Sequence, residues 1–493
     1  LSSERQLNLA FPSLYKNTRR PVAVDLFAGA GGFSLGMEQA GFDILVAVEW
    51  DPIHACTYAY NFPQTQVICR SITDITVADI NAAATLGWQK HRQLGCFYPH
   101  TTNYRENQWN HQFDLVFGGP PCQGFSVMGK RNLDDERNSL IFHFLRIVCA
   151  LRPRFFVMEN VPGLKSRKYK GLLEELEAKF IAGGYWTKAI CLNAMDFGVP
   201  QRRKRLFVIG GRYPEDGVFL ERHLQPVKFR TTVKDAIADL PDIDQFREFV
   251  TGDEYLLDDE YFDKINANAS DYVRFLRKQH HACCLKSGNP PTALTPPLAQ
   301  TTSQIVSKTC TNHQGNSFDL PDFSYPRHWN PKLLTSSMQT QHRESSRQRF
   351  AQLSYGELEP VSRLRRLDWN GFSHTLRAGT DSSRGRHTSP RPIHPLLPRV
   401  ISVREAARLH SFPDWFRFHY TKWHGFRQVG NSVPPLLARG IGSAIAKTMN
   451  IELEISLSAS NSESGNYFNC CLQLGNPQIL KFNPSEARAF WQQ

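Results

Sequence analysis

The sequence predicts a doubly wound α/β domain with a mostly parallel sheet, interrupted by an irregular α+β insertion. Three observations lead there. Short apolar runs alternate with helical stretches from residue 22 to 211. A glycine cluster follows the first run. The alternation stops near residue 212 and helical composition returns only after 400.

Residues 22–27 (Val-Ala-Val-Asp-Leu-Phe) read as a short buried strand, followed by Gly29, Gly31 and Gly32 and by helical composition over 33–40. Strands are expected at 44–49 and 66–69, with a helix at 52–61 between them. A polar stretch from about 85 to 112 reads as an insertion before a fourth strand at 113–118. A helix at 138–151, a strand at 154–159, a helix at 171–182 and a strand at 205–211 complete the series. Beyond it, proline pairs and polar clusters replace periodicity, until helices return at 403–411 and 433–448. The expected division is an extension over 1–20, the α/β domain over 21–212, an inserted domain over 213–362, a return over 363–449, and a tail over 450–493. The tail is rich in Ser, Asn and Gln and is expected to be loosely ordered.

Composition narrows the function. Of 493 residues, 41% are hydrophobic and 21% charged, as in ordinary globular proteins. No run of 18 apolar residues marks a membrane span, and residues 1–20 lack a signal peptide's apolar core, so a cytoplasmic location is expected. The 11 cysteines include no CxxC pair, which argues for reduced thiols and against a bound metal. A net charge of +12 favours a polyanionic partner. The charge concentrates at 341–405, where Arg363, Arg365, Arg366, Arg377, Arg384, Arg386, Arg391 and Arg399 alternate with Trp369, Gly371, Phe372 and Gly379.

Four segments carry chemistry. Asp25–Phe33 places glycines between a strand and a helix, where the chain turns tightly and lets a ligand approach the backbone. Ser34 stands where a third glycine would complete GxGxxG, which disfavours a nicotinamide dinucleotide; Glu49, ending the next strand, suits the two hydroxyls of a ribose. Gly118–Ser126 (Gly-Gly-Pro-Pro-Cys-Gln-Gly-Phe-Ser) puts Cys122 in a proline-stiffened loop at the same sheet edge. Glu159-Asn-Val ends another strand there, and Gln201-Arg-Arg-Lys-Arg205 begins one. Singly, these read as an inert loop thiol, a capping carboxylate and a solvated turn. Together they bring a thiol, a carboxyl group and guanidinium groups to one crevice. Nucleophilic addition to a pyrimidine needs that set: the thiol attacks, the acid protonates a ring nitrogen, and an arginine binds a carbonyl oxygen.

These segments, with Arg404–Asp414 and Gly430–Pro435, resemble the ordered motif series of the bacterial cytosine-5 DNA methyltransferases over 22–212 and about 360–445. The resemblance implies a Rossmann-like catalytic domain that uses S-adenosyl-L-methionine, with 213–362 as target recognition domain. It implies Cys122 as nucleophile, Glu159 at N3 and the amino group of a flipped-out cytosine, and Arg203 and Arg205 at its O2 side and at the active-site carboxylates. Phe27, Gly29, Gly32, Glu49, Trp50, Gly119, Pro121, Leu140, Asn431 and Ser432 would line the cofactor pocket. The family's Gly-Asp-Ile is replaced by Arg70-Ser71-Ile72, with Asp74 shifted by three positions; Ser71 and Ile72 are the expected adenine contacts. Residues 123–137 resemble a mobile loop closing on DNA. Gln123, Ser126, Lys130 and Arg131, with Arg363, Arg365 and Arg366, are the expected DNA contacts. The expected partner is double-stranded DNA at the nucleoid, met by a monomer, with a companion restriction endonuclease as a further implied partner. An RNA methyltransferase is the rival enzyme, but the Cys-Phe-Thr tripeptide of that branch is absent. A catalytically dead DNA-binding homologue is the other rival, and it would be expected to have lost Cys122, Glu159 or the glycines.

Overall fold

A computed structural model describes residues 20–93, 111–121, 139–278, 321–379, 391–451 and 472–492. Its centre is a seven-stranded sheet built from β1 (Val22–Leu26), β2 (Asp43–Val48), β3 (Gln66–Ile68), β4 (Leu115–Gly118), β5 (Phe155–Asn160), β6 (Trp186–Asn193) and, beyond the two-residue β7 (Gln201–Arg202), β8 (Lys204–Gly211). The spatial order is β3-β2-β1-β4-β5-β8-β6. The first five strands in that order are parallel; β8 runs antiparallel to both β5 and β6. The mostly parallel α/β class is therefore the one observed.

Strand alternation sorts the core into two layers. Ala23, Ile44, Leu115, Phe117, Phe155, Val157, Phe207 and Ile209 face one cluster. Val22, Val24, Leu26, Val116, Phe156, Met158, Leu206 and Val208 face the other. On the first face lie α1 (Gly32–Gln39) and α2 (Pro52–Asn61); on the second lie α3 (Val77–Gln93), α4 (Ser139–Leu151) and α5 (Lys170–Ala182). Asp51 starts α2 by accepting hydrogen bonds from the backbone of Ile53 and His54, and Pro52 fits the first helical position.

Two expectations need correction here. The start of the polar stretch, 85–93, is not an insertion but the end of the 17-residue α3, which buries Ile80, Ala83, Ala84, Gly87, Trp88 and His91 on one face. Residues 94–110 lie outside the described residues. The tail is also built into the fold where it is described. Leu472–Gln473 (β13) pairs with Arg327–His328 (β10), and α14 (Pro484–Gln492) contributes Ala487 to a cluster with Ile53, Cys56 and Tyr60 of α2.

The segment after residue 212 is short and irregular in its elements but not separate in its core. It begins with α6 (Pro214–His223), α7 (Val233–Ile237), α8 (Asp259–Ala267) and α9 (Asp271–Lys278). Tyr255–Leu256 (β9) pairs with Leu333–Leu334 (β11), and α10 (Glu344–Ala351) follows. The chain returns through β12 (Ser373–His374), which pairs with β7, to α11 (Val403–Leu409), α12 (Lys422–Asn431) and α13 (Pro435–Thr448). Leu220, Val233, Ile237, Tyr272 and Leu276 share the cluster of α11 and α13, so packing marks no boundary at 213. Arg408 of α11 binds Asp239 and Asp414, and Arg277 of α9 joins both carboxylates. Among the described residues, no helix is long and apolar enough to cross a membrane.

Candidate active site

The strand order reverses between β1 and β4: β1 leads outward to β2 and β3, and the chain then crosses to β4 on its other side. Ligands of such sheets bind in the crevice beyond the strand ends at that reversal. Here the two flanking turns are Phe27–Gly31 after β1 and Gly119–Pro121 after β4.

The first turn is held in an unusual backbone shape. Phe27, Gly29 and Gly31 have φ of 66°, 58° and 100°. For Phe27 that conformation is strained; for the glycines it is the reason for their presence. The space a Cβ would occupy at Gly29 is open. Glu49, 5% exposed, takes the Gly29 N–H on one oxygen at 2.7 Å and the Asp51 N–H on the other at 2.8 Å. A carboxylate has about four acceptor sites, so lone pairs remain on both oxygens. Burial and the neighbouring Asp51 charge raise this carboxyl to about 7, against the pull of the two N–H donors and Arg427. Close behind, Ser34 donates to Asp25 at 2.6 Å while the other Asp25 oxygen, buried, has no partner among the described residues. This lining fits a ribosyl ligand: a buried carboxylate for a diol beside open space over a glycine backbone.

The second turn faces a carboxyl group. Asn160 donates to the Pro120 carbonyl at 3.4 Å and braces the loop that leads to residue 122. Glu159 receives the Arg205 Nε at 2.8 Å on Oε1, and both side chains are 14% exposed. Its Oε2 lies beside Gly119, where an added Cβ would approach to 3.0 Å. The pairing follows from topology. Because β8 runs antiparallel to β5, Asn160 pairs with Leu206, and Arg205, next in β8, stands at the end where Glu159 emerges. Burial raises the Glu159 carboxyl, and Arg205 and Arg203 oppose that rise. Cys122, Gln123, Ser126, Lys130 and Arg131 lie outside the described residues, as does the loop 123–137.

Arg203 does not join the carboxyl group as expected. It is 1% exposed and donates to the backbone carbonyls of Leu376 (2.9 Å), Gly430 (2.8 Å) and Ser432 (3.0 Å). With those bonds it ties β8 to the returning chain. Two residues of the motif segments that carried no assigned role share this task. Gln201 bonds the Leu409 carbonyl, the Leu376 N–H and His410, and His410 reaches the Ser432 carbonyl at 2.9 Å. Ser432 is thereby set against the first turn, close enough that a Cβ on Gly32 would meet Ser432 and the Val433 carbonyl. Asn431 beside it is exposed.

The remaining candidates divide. Trp50 is 68% exposed, next to Glu49. Ser71 caps the turn Ile72–Asp74 with its hydroxyl, and Ile72 is 3% exposed. Pro121 and Leu140 are half-buried. Arg366 is half-buried. It donates to the carbonyls of Phe350 (3.1 Å), Ala351 (3.3 Å), Leu353 (2.8 Å) and Pro395 (2.9 Å), so these backbone acceptors hold it at the end of α10. Arg365 is exposed and donates to the Gly356 carbonyl. Arg363 is exposed at φ 59°; its backbone N–H donates to the Glu359 carbonyl at 2.9 Å, and its guanidinium has no hydrogen bond or ion pair among the described residues.

The family model for C-5 cytosine-specific DNA methylases matches residues 22–87 and 97–447. The chain is 44% identical to the type II methyltransferase M.XorII of Xanthomonas oryzae over 432 residues, 87% of this chain and 85% of that one. It is 31% identical to the type II methyltransferase M.AgeI of Thalassovita gelatinovora, over 86% of this chain and 98% of the relative. A crystal structure described as that of a prophage-encoded DNA modification methyltransferase (E. coli) is 31% identical, with a TM-score of 0.59 over 87% of this chain and 99% of that one.

Proposed function

Because the chain belongs to the C-5 cytosine-specific DNA methylase family, we propose that it methylates carbon 5 of a flipped-out cytosine in a specific short double-stranded DNA sequence, through a covalent bond from Cys122 to C6. The methyl donor is S-adenosyl-L-methionine, which brings an electrophilic methyl group on a sulfonium. Glu49 holds its ribose hydroxyls; Gly29, Phe27 and Trp50 border the adenosine. Ile72 and Ser71 take the adenine edge. Gly119, Pro121 and Leu140 border the rest, and Asn431, Ser432 and Gly32 close the methionine end.

Carbon 5 of cytosine is a weak nucleophile. Addition of the Cys122 thiolate to C6, with a proton delivered to N3 by Glu159, turns C5 into an enamine carbon that takes the methyl group. N3 then returns its proton to Glu159, and loss of the C5 proton to water breaks the Cys122–C6 bond, returns its electrons to sulfur and restores the ring. The carrying observation is the Glu159–Arg205 pair at the β5 end, with Oε2 beside Gly119 three residues before Cys122. A carboxyl raised by burial keeps its proton longer as pH climbs, and this suits a group that donates one. Arg205 orients that carboxyl and is the arginine available to the O2 side. Target bases of such chemistry leave the stack. The type II names of the relatives support a companion restriction endonuclease, and we place the enzyme, acting as a monomer, at the nucleoid.

A labelled methyl-transfer assay on duplex DNA and on tRNA tests this reading. Label in DNA C5, lost in Cys122→Ser, is the expected result. Label in tRNA alone, or more than a few percent of activity in the serine variant, overturns it. Duplexes carrying 5-fluorocytosine should leave a denaturant-stable adduct, since fluorine cannot leave as a proton does.

A further inference from the structure

We infer that Arg427 is a positioning residue for the methyl donor, acting through Asp51 on the carboxylate of Glu49; this rests on the proposed ribose role of Glu49. Arg427 lies on α12, far in sequence from the first turn. Its Nη1 stands 3.2 Å from Asp51 Oδ2. The other Asp51 oxygen caps α2 through the N–H groups of Ile53 and His54, and the Asp51 N–H donates to Glu49 Oε1. A single residue thus touches the guanidinium, the helix start and the carboxylate.

Asp51 sits there at a cost. Its charge is a main reason the Glu49 carboxyl is pushed up, after burial. His54 and Arg427 hold Asp51 in its ionised form, and Arg427 balances that charge at close range and pulls Glu49 back toward the ionised form. The other groups facing Glu49 cannot substitute for it. Asp25 on β1 is itself held toward the neutral acid by burial, and the Cys69 thiol beyond β3 is pushed up to about 12; around Asp51, burial lowers His54 on α2 and brings His419 and His424 down to about 4. Two hydroxyls are best received by an ionised carboxylate, which is acceptor-only. Arg427 also stands on the helix that borders the other end of the proposed pocket. The helix is clamped to α2 by Gln428, which donates to Thr57 at 2.8 Å, and it ends at Asn431 and Ser432. The helix that closes the proposed methionine end is therefore the one that tunes the ribose end.

The side chain of Arg427 is 31% exposed, so its removal should leave the fold intact. The full-length enzyme with Arg427→Ala, Arg427→Lys and Glu49→Gln is assayed for KM of S-adenosyl-L-methionine and for kcat between about pH 6.5 and 9. Each variant is divided by wild type at the same pH, which cancels the ligand's own titration. For Arg427→Ala the KM ratio should be about fivefold near pH 7 and fall below about twofold near pH 9, where Glu49 ionises without help. The kcat ratio should stay near one, and Arg427→Lys should recover most of the loss. A KM ratio that is flat with pH, or a loss confined to kcat, overturns the role of Arg427. If Glu49→Gln also leaves KM unchanged, it is the ribose assignment that fails; if Glu49→Gln raises KM and Arg427→Ala does not, only the present inference fails.

Discussion

Two arginine-rich regions, 201–205 and 363–399, look alike in the sequence and behave differently in the fold. In the first, β-strand alternation decides each side chain: Arg202 and Lys204 face outward, Arg203 is buried, and Arg205 is turned to Glu159. In the second no period operates. Arg366 caps α10, Arg399 forms a two-pronged ion pair with Glu405, and Arg391 lies 4.7 Å over the Phe426 ring, while Arg363 is left to solvent. A basic run inside a strand is thus partly legible in advance. A basic run inside irregular chain is sorted by whichever carbonyl or carboxylate the tertiary fold brings to it.

The first comparison to break is within the strand. Arg205→Ala and Glu159→Gln should each lower kcat by about 10²–10³-fold with little change in unfolding midpoint, because an acid without its orienting cation, or an amide in its place, delivers no proton on demand. Arg203→Ala should do the reverse in kind. It strands three buried carbonyls, a loss of about 3 kcal/mol or more in stability measured by urea unfolding. Activity loss in that variant should track the unfolded fraction. If Arg203→Ala were fully folded and as dead as Arg205→Ala, the division between the two would be wrong.

A smaller effect separates the second region by pH. Burial alone would raise the Glu405 carboxyl, but Arg399, His394 and the hydrogen bonds of Arg399 and Ser402 outweigh it and hold it at about 2, below its ordinary 4.5. The folded value is depressed, so the stabilisation is full above about pH 4.5 and is lost as pH falls toward about 2. Urea midpoints taken down that range should fall steeply for wild type and more gently for Glu405→Gln, which starts lower. Parallel curves would remove the pair from the stability of the return segment.

The sheet and its edge were legible because strands buried on both faces are continuous apolar runs, and their ends announce themselves with Gly, Pro or charge. Helix α2 came with its own start signal, Asp51-Pro52. Helix α3 was hidden in part because its buried stripe includes Ala83, Ala84 and Gly87, residues that carry little hydrophobic signal; Gly87 is there because a Cβ would strike the Leu45 carbonyl. Strand β6 went unread since its side chains are mostly half-buried and alternate weakly. At the site, Glu159 and Arg205 could be placed together from strand ends alone. Arg203, Gln201 and His410 could not be read as a clasp, because their partners at 376, 409, 430 and 432 are distant in sequence.

The smallest effect, and the sharpest separation of the second region, sets Arg363 against Arg366. Arg363 has an exposed guanidinium on a backbone already bent into a left-handed turn, and no side-chain partner competes for it among the described residues. Each phosphate neutralised by a protein cation releases condensed counterions, and the logarithm of affinity falls with that of salt in proportion. Arg363→Ala should therefore weaken binding to cognate and unrelated duplexes alike and reduce the salt slope by about one, with no change in unfolding midpoint. Arg366→Ala should leave the slope as it is and cost about 1–2 kcal/mol of stability, because the final carbonyls of α10 lose their donor. Fluorescence titrations on both duplexes at several salt concentrations, beside a denaturation curve, measure all four quantities. A loss of about 1–3 kcal/mol on the cognate duplex alone would instead make Arg363 a reader of a base edge. A changed slope in Arg366→Ala would return that residue to the DNA surface and undo the contrast between a capping arginine and a free one.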